Sequence, residues 1–211
     1  MNDLTIYNKH AIQNYDADLP QFFNPEEIKR ILSEVDNLNT SGPRGKTNAR
    51  YKALTYVLIF TGCRRGEALS LARQDIDYTN KTIKLVTLKK RARRKKLDAI
   101  YRYVPVKDRC LLALMEYTNT IKTDLLFPFK EKRSVNKFYE KFLVNKCDID
   151  KLRAHPHTFR HSFAVNLLMQ GVPINVLKEL LGHSSVTTTM IYLKITQQDI
   201  KEVLKNVNIG D

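Results

Sequence analysis

Cysteine is scarce in this sequence. The three cysteines among its 211 residues, Cys63, Cys110 and Cys147, are far apart along the chain. An odd number of widely spaced cysteines favours neither a disulfide framework nor a zinc site. We therefore expect three reduced thiols that serve as packing residues, and no metal site.

Long hydrophobic runs and glycine-rich loops are also missing. No apolar stretch approaches the length of a membrane span, and the first residues carry neither an apolar signal core nor a small-residue cleavage site. With only seven glycines, the chain has no nucleotide-binding loop, so ATP is not implied. We expect a cytoplasmic protein with no membrane partner and no cofactor.

Acidic residues are too few to balance the basic ones. There are 36 Lys and Arg against 22 Asp and Glu, which gives a net charge of +14. A chain of this charge favours a polyanionic partner, because binding releases the counterions condensed on phosphates. The expected partner is a nucleic acid. The length and the 43% hydrophobic content fit one well-buried domain.

The apolar pattern predicts a mainly α fold with a small antiparallel β-sheet. Residues 1–20 lack periodicity and are interpreted as an N-terminal arm or linker. Asn24, Pro25 and Glu27 form a helix start of the capping-box type, and this helix should run to about Leu38. Strands are expected at 82–88 and 101–106. Further helices are expected at 50–60, 64–72, 108–121, 134–144, 174–181, 186–193 and 196–207, and one begins near His157.

Several helices carry predicted inward faces or basic surfaces. Helix 108–121 should bury Leu111, Leu112, Leu114 and Met115, and helix 174–181 should bury Val176 among its apolar residues. The loop 39–46 offers Arg44 and Lys46, and helix 134–144 offers Asn136, Lys137 and Lys141, as possible contacts to a phosphate backbone. For Arg44 and Lys46, a solvated loop is the more ordinary interpretation.

A strongly basic run lies between the two predicted strands. Seven of the eight residues from 89 to 96 are positively charged. Such a run is usually a solvated loop. The possible DNA contacts in it are Lys89, Arg91, Arg93, Arg94, Lys95 and Lys96.

Four reactive side chains lie between residues 157 and 192. His157 and Arg160 stand on one face at the start of a helix, where unpaired N–H groups favour an anion such as phosphate. His183 follows Gly182, a residue suited to a left-handed helix cap. Tyr192 lies in an apolar segment. Taken singly, each has a more ordinary interpretation as a capping, surface or core residue.

Upstream, Arg64 and Glu67 are three residues apart and can face one point. The guanidinium suits phosphate oxygens, and the carboxylate can orient a cationic neighbour. On its own the pair would be interpreted as a surface ion pair.

Together these residues resemble the tyrosine site-specific recombinases, which include phage integrases, chromosome-dimer resolvases and fimbrial-switch invertases. The resemblance extends from about Asn24 to the C-terminus. It rests on His157-Thr-Phe-Arg160-His161-Ser-Phe-Ala, Glu179-Leu-Leu-Gly-His183-Ser-Ser, Thr187-Thr-Thr before Ile191-Tyr192, and Thr61-Gly-Cys-Arg64-Arg-Gly-Glu67.

The resemblance implies the α+β catalytic-domain fold of that family and a role for each matched residue. Arg64 and Arg160 would clamp the phosphate, with Glu67 as a supporting acid. His157 and His183 would assist proton transfer. Tyr192 would attack the phosphate and hold the 3′ end of the DNA, without metal or ATP. A lysine of the basic run, Lys90 or alternatively Lys89, would protonate the leaving 5′ oxygen.

The resemblance also implies an assembly and a domain organisation. The partner would be double-stranded DNA, and the protein would be nucleoid-associated when bound to it. Four protomers would act on two DNA sites, from a protein that can be a monomer in free solution, and a DNA-bending accessory protein could assist. The catalytic domain would be 21–211, including helix 196–207, which could dock on a neighbour or on its own domain. Relatives commonly carry an N-terminal helical domain, so the chain is either a small recombinase of the invertase type or a fragment. Two alternatives remain: a non-cleaving DNA-binding accessory or regulatory protein, and a type IB-like topoisomerase.

Overall fold

A computed structural model describes residues 20–88, 99–129 and 131–194 of the chain. The described residues are mostly helical with one small antiparallel sheet, as the sequence predicts. Residues 187–194 are also helical. The helices are α1 (Pro25–Asp36), α2 (Gly45–Thr61), α3 (Arg65–Ala68), α4 (Asp108–Thr118), α5 (Lys132–Cys147), α6 (Pro156–Met169) and α7 (Ile174–Leu181).

The sheet has the strand order β1 (Ile76–Asp77), β2 (Thr82–Leu88), β3 (Ala99–Pro105). Both pairs of neighbours are antiparallel, and Ile83 lies opposite Val104. Both of these side chains are buried, so one face of the sheet packs on the core. The basic run, with Lys89, Lys90 and the residues up to Lys96, joins β2 and β3 and lies outside the described residues, as does the predicted helix 196–207.

Helix α1 begins with the predicted capping box. The Asn24 side chain accepts a hydrogen bond from the Glu27 N–H at 2.8 Å, and Glu27 accepts one from the Asn24 N–H at 2.9 Å. Arg153 donates to both carboxylate oxygens of Glu27, at 2.6 and 3.0 Å, and to the carbonyl of Phe22 at 3.1 Å. One residue on, the Phe23 N–H donates to Ser162 Oγ at 2.7 Å. These contacts join the start of α1 to α6 and to the turn that precedes α6.

Helix α2 begins five residues earlier than predicted. Residues 39–46 were expected to form a loop, but Gly45 starts the helix, so Arg44 caps it and Lys46 lies in its first turn. Both basic side chains are exposed. The Asn48 side chain donates to the carbonyl of Asn39 and ties this first turn to the preceding loop. A contact of this kind overrides weak helix propensity.

Three other helices, α3, α4 and α5, differ in extent from the predictions. Helix α3 has four residues instead of nine, because the chain after it pairs with another segment. In this pairing the Leu126 N–H donates to the Leu71 carbonyl. Helix α4 ends at Thr118, three residues early, and Arg73 donates to the Thr118 carbonyl at 2.7 Å. Helix α5 is longer than predicted at both ends.

The predicted inward faces were partly wrong. On α4, Leu112 and Met115 are exposed, and Cys110, Ala113 and Tyr117 are buried in their place beside Leu111 and Leu114. On α7, Val176 is exposed. On both helices some of the apolar residues are left exposed, so the sequence pattern alone does not identify which side of the helix faces the core.

The main core surrounds α2, whose Leu54, Val57 and Leu58 are fully buried. The three cysteines are buried in this core, the position expected of packing residues. A second, smaller cluster holds α6, α7 and the last helical segment together. Its buried members are Phe22, Ala164, Val165, Leu177, Leu181 and Tyr192.

Gly62 ends α2 in the left-handed conformation, with φ of +58°. A Cβ atom at this position would lie 2.4 Å from the ring of Phe163. We expect Gly62→Ala to lower the free energy of unfolding by about 2–4 kcal/mol, from backbone strain and overpacking combined. Urea denaturation measures this change. Gly66→Ala is the matched control, because a Cβ there meets no atom within 4 Å, and equal losses in both variants would contradict the prediction.

Candidate active site

Arg160 lies at the centre of the site, on α6, with 1% of its surface exposed. Its guanidinium donates to the carbonyl of Gly62 at 2.9 Å and to that of Leu181 at 2.8 Å. These carbonyls lie at the C-terminal ends of α2 and α7, where backbone oxygens lack helical partners and the helix dipole is negative. Burial, followed by the charge of Arg64, lowers the pKa of Arg160 to about 10. Two helix ends therefore hold one cation in place.

His183 contacts the same guanidinium. It follows Gly182, which caps α7 in the left-handed conformation as predicted. Arg160 Nη2 lies 2.8 Å from His183 Nε2, and His183 Nδ1 lies 2.9 Å from Thr189 Oγ1. Arginine can only donate, so Nε2 must accept and the ring proton must be on Nδ1, donating to Thr189. Burial, then Arg160, lowers the pKa of His183 to about 4. The imidazole is therefore neutral at neutral pH.

Arg64 and Glu67 form the predicted pair at the start of α3. Glu67 accepts from the Arg64 backbone N–H at 2.8 Å and from its Nη1 at 3.2 Å. The Arg64 side chain is 42% exposed, whereas that of Glu67 is 7% exposed. The carboxylate thus lies beneath the arginine, which keeps part of its guanidinium accessible to an anion.

Arg102 on β3 is a member of the site that the sequence reasoning missed. It donates to both oxygens of Glu67, at 2.7 and 3.1 Å, and to the carbonyl of Leu180 at 2.8 Å. A signal was present, since strand alternation places Arg102 on the same face as the buried Val104. A charged residue on the buried face of a strand implies a buried partner.

Tyr192 lies in the smaller core cluster and is 3% exposed. The ordinary interpretation of Tyr192 as a core residue is thus compatible with its position. Its hydroxyl oxygen, however, lies 2.9 Å from His161 Nδ1. The His161 ring in turn packs edge-to-face on that of His157, at 4.5 Å between centroids. Burial raises the pKa of Tyr192, and the charges of Arg160 and Arg64 lower it.

The five predicted catalytic residues that lie in the described part of the chain therefore form one cluster. His157 lies at the edge of the cluster and is exposed to solvent on one side. Partial desolvation of its ring by the surrounding protein, followed by the charge of Arg160, lowers its pKa. Arg160 contacts His183 directly, and Arg64 and Arg102 share the carboxylate of Glu67. The charges of Arg64 and Arg160 both lower the pKa of the Tyr192 phenol.

Four of the predicted DNA contacts lie among the described residues, and all four are exposed but in different places. Lys137 and Lys141 are on α5, where Asn136 accepts a hydrogen bond from Arg65, the neighbour of Arg64. Arg44 and Lys46 lie at the other end of α2, about 25 Å from Gly62 for a helix of 17 residues.

The lowered pKa values of His161 and His183 predict how stability depends on pH. Both fall from 6.5 in the unfolded chain, to about 3 and about 4 in the fold. The unfolded state therefore binds more protons in this range, so the free energy of unfolding should fall as the pH drops from about 6.5 to about 4. Urea titrations across this range measure the slope. His183→Asn should show a shallower slope than wild type, and an unchanged slope would argue against the shift at His183.

Two further observations bear on ligands and location. Within residues 20–88, 99–129 and 131–194, no three His, Cys, Asp or Glu side chains are grouped to hold a metal ion. In the same ranges, no helix has both the length and the apolar character that a bilayer crossing requires.

Comparison with known proteins identifies the family of the chain. The pattern of the phage integrase family matches residues 21–199. The chain belongs to this family. Among family members, the tyrosine recombinase XerA of Pyrococcus horikoshii is 30% identical over 197 residues, which cover 90% of this chain and 62% of that protein. The tyrosine recombinase XerC of Staphylococcus aureus is 29% identical over 201 residues, with 90% and 62% coverage.

Solved structures give the same fold. A XerA recombinase superposes with a TM-score of 0.71 at 25% identity, over 94% of this chain and 67% of that chain. The XerH site-specific recombinase, in a pre-cleavage complex with its difH substrate, gives a TM-score of 0.69 at 28% identity, over 82% and 50%. The fold expected from the family resemblance is confirmed. The chain spans about three fifths of the length of the curated relatives.

Proposed function

We propose that this protein is a site-specific DNA recombinase that cuts and rejoins strands through a 3′-phosphotyrosine intermediate. The observation that carries the proposal is the position of Arg160. Its buried guanidinium is fixed by Gly62, Leu181 and His183, and its charge acts on the phenol of Tyr192. A preorganised cation beside a nucleophile is what phosphoryl transfer requires.

The reaction follows from the residue types. The phenolic oxygen of Tyr192 attacks the phosphorus and loses its proton, and the bond from phosphorus to the 5′ oxygen breaks. Arg64 and Arg160 neutralise the charge that develops on the non-bridging oxygens. His157 and His183 assist by hydrogen bonding and proton transfer. A 5′ hydroxyl of another strand then attacks the phosphotyrosine and releases Tyr192.

The leaving oxygen needs a proton, and the basic run between β2 and β3 is our proposed source. Lys90 is the first candidate and Lys89 the second. The remaining basic residues of the run, together with Lys137 and Lys141, are proposed to bind the phosphate backbone. The net charge of +14 supports a polyanionic partner, and the XerH complex shows a relative with a DNA substrate bound. We further propose four protomers on two DNA sites, with a possible accessory protein, and a nucleoid-associated location when bound.

The test uses nicked duplexes tiled across the DNA that flanks the protein's own gene. A nick near the cleavage site releases a short fragment, so the cut strand cannot be rejoined and a covalent adduct accumulates. We expect an adduct on a denaturing gel with wild type, in the presence of a chelator, and none with Tyr192→Phe, which lacks the attacking oxygen.

Tyr78→Phe is the matched control, because Tyr78 is an exposed tyrosine outside the site. It should form the adduct at the wild-type rate. Salt-sensitive DNA binding without an adduct on any of the nicked duplexes would contradict the proposal and favour a non-cleaving accessory role. Relaxation of supercoiled plasmid by monomers, without sequence preference, would favour a topoisomerase.

A further inference from the structure

His161 is a polar side chain of the site to which the proposed reaction gives no role. It follows Arg160 on α6 and is only partly exposed. Its Nδ1 atom lies 2.9 Å from the hydroxyl oxygen of Tyr192, which is 31 residues further along the chain and on another helical segment. The contact therefore depends on the packing of α6 against the segment 187–194.

The predicted catalytic arginines direct their hydrogen bonds elsewhere. Arg160 donates to two carbonyls and to His183, and Arg64 donates to Glu67. Among the described residues, neither arginine donates to the phenol of Tyr192. Within residues 20–88, 99–129 and 131–194, the phenol makes its hydrogen bond with His161.

Both partners are neutral at neutral pH. Burial, with His157 and Arg160 adding to it, lowers the pKa of His161 to about 3. Burial raises the pKa of Tyr192. The phenol thus carries a proton to donate, and the neutral imidazole has one nitrogen without a proton to accept it.

We propose that His161 is a positioning residue for the nucleophile: its Nδ1 accepts the hydrogen bond of the Tyr192 hydroxyl, with the ring proton on Nε2. A phenol that donates its hydrogen keeps its oxygen lone pairs available for phosphorus. The bond also restricts rotation of the phenol, which lowers the entropy lost on reaching the attacking geometry. This inference rests on the proposed role of Tyr192 as nucleophile.

The first test needs no DNA. Imidazole nitrogen resonances of ¹⁵N-histidine-labelled protein distinguish a bare nitrogen from one that carries a proton. We expect His161 Nδ1 to be unprotonated and hydrogen-bonded in wild type, and its resonance to move in Tyr192→Phe. A proton on Nδ1, or no change in Tyr192→Phe, would overturn the inference.

The second test measures single-turnover cleavage of the nicked duplex at saturating protein. His161→Phe keeps a ring but removes the acceptor, and we expect its cleavage rate to fall by about 10- to 100-fold with DNA affinity unchanged. His161→Asn, whose amide can replace Nδ1, should recover part of the rate. A purely structural role would instead show as lost stability or DNA affinity.

A rate at or above wild type in His161→Phe would overturn the inference, since the contact would then be dispensable or inhibitory. This outcome differs from failure of the proposed function, in which wild type itself forms no adduct. In that case the nitrogen resonances still decide whether His161 accepts from Tyr192.

Discussion

Arg64→Lys should reduce the single-turnover cleavage rate by about 10²–10³-fold, the typical loss when one donor to a developing charge is removed. Lysine keeps the positive charge but cannot present two parallel N–H groups to phosphate oxygens. The partial exposure of Arg64 makes this variant informative, because its side chain does not fill the core as that of Arg160 does. The rate is measured on the nicked duplex, with DNA affinity determined separately.

Arg65→Lys provides the comparison at the next position of the chain. Arg65 lies beside Arg64, makes one side-chain hydrogen bond, to Asn136, and has no role in the proposed reaction. Its replacement should leave the cleavage rate within about twofold of wild type, which corresponds to less than 1 kcal/mol of barrier. Similar losses in the two variants would mean that general positive charge, and not the position of Arg64, is what the reaction needs.

Glu67→Ala should lower the free energy of unfolding by about 3–5 kcal/mol, the usual cost of removing one partner from a buried ion pair. The side chains of Glu67 and Arg102 are 7% and 9% exposed, at a distance of 2.7 Å. Without the carboxylate, the Arg102 charge would remain buried beside Arg64 and Arg160. Denaturation by urea gives the change in stability.

Glu26→Ala tests whether this cost is particular to burial. Glu26 pairs with Lys29 at 2.8 Å, but its side chain is 79% exposed. Exposed pairs contribute little, so the change should stay within about 0.5 kcal/mol. If Glu67→Ala lowers the free energy of unfolding no more than Glu26→Ala does, the prediction is wrong, and a group other than Glu67 must neutralise the buried charge of Arg102.

The parts of the fold that could be predicted from sequence are those set by local chemistry. The capping box of Asn24 and Glu27 and the left-handed caps at Gly62 and Gly182 each depend on a few neighbouring residues. The position of Arg160 at the start of a helix was predictable for the same reason. Motif order then identified the family, although it does not test the catalytic roles, which stay predictions.

The rest depends on contacts between distant residues. Arg102 meets Glu67 across 35 positions, and His161 meets Tyr192 across 31. Likewise, the burial of Tyr117 instead of Met115 on α4 depends on which side of the helix faces α2. A single sequence shows the periodicity of its residues but not which distant residues are in contact. The predicted site residues were therefore found together, whereas contacts such as those of Arg102 and His161 were not predicted.

The hydrogen bonds that join the start of α1 to α6 and to the turn before α6 also limit when the protein can fold during synthesis. Glu27 can form its ion pair with Arg153 only after 126 further residues have been added. Phe23 can bond to Ser162 only after 139 further residues have been added. A ribosome adds about 5–20 residues per second, so on the order of ten seconds pass before the first helix can be joined to its final partners. Because such distant contacts also slow folding, the helix that carries Arg160 becomes anchored late. A newly made chain therefore acquires its excess positive charge well before it can assemble the proposed cleavage site.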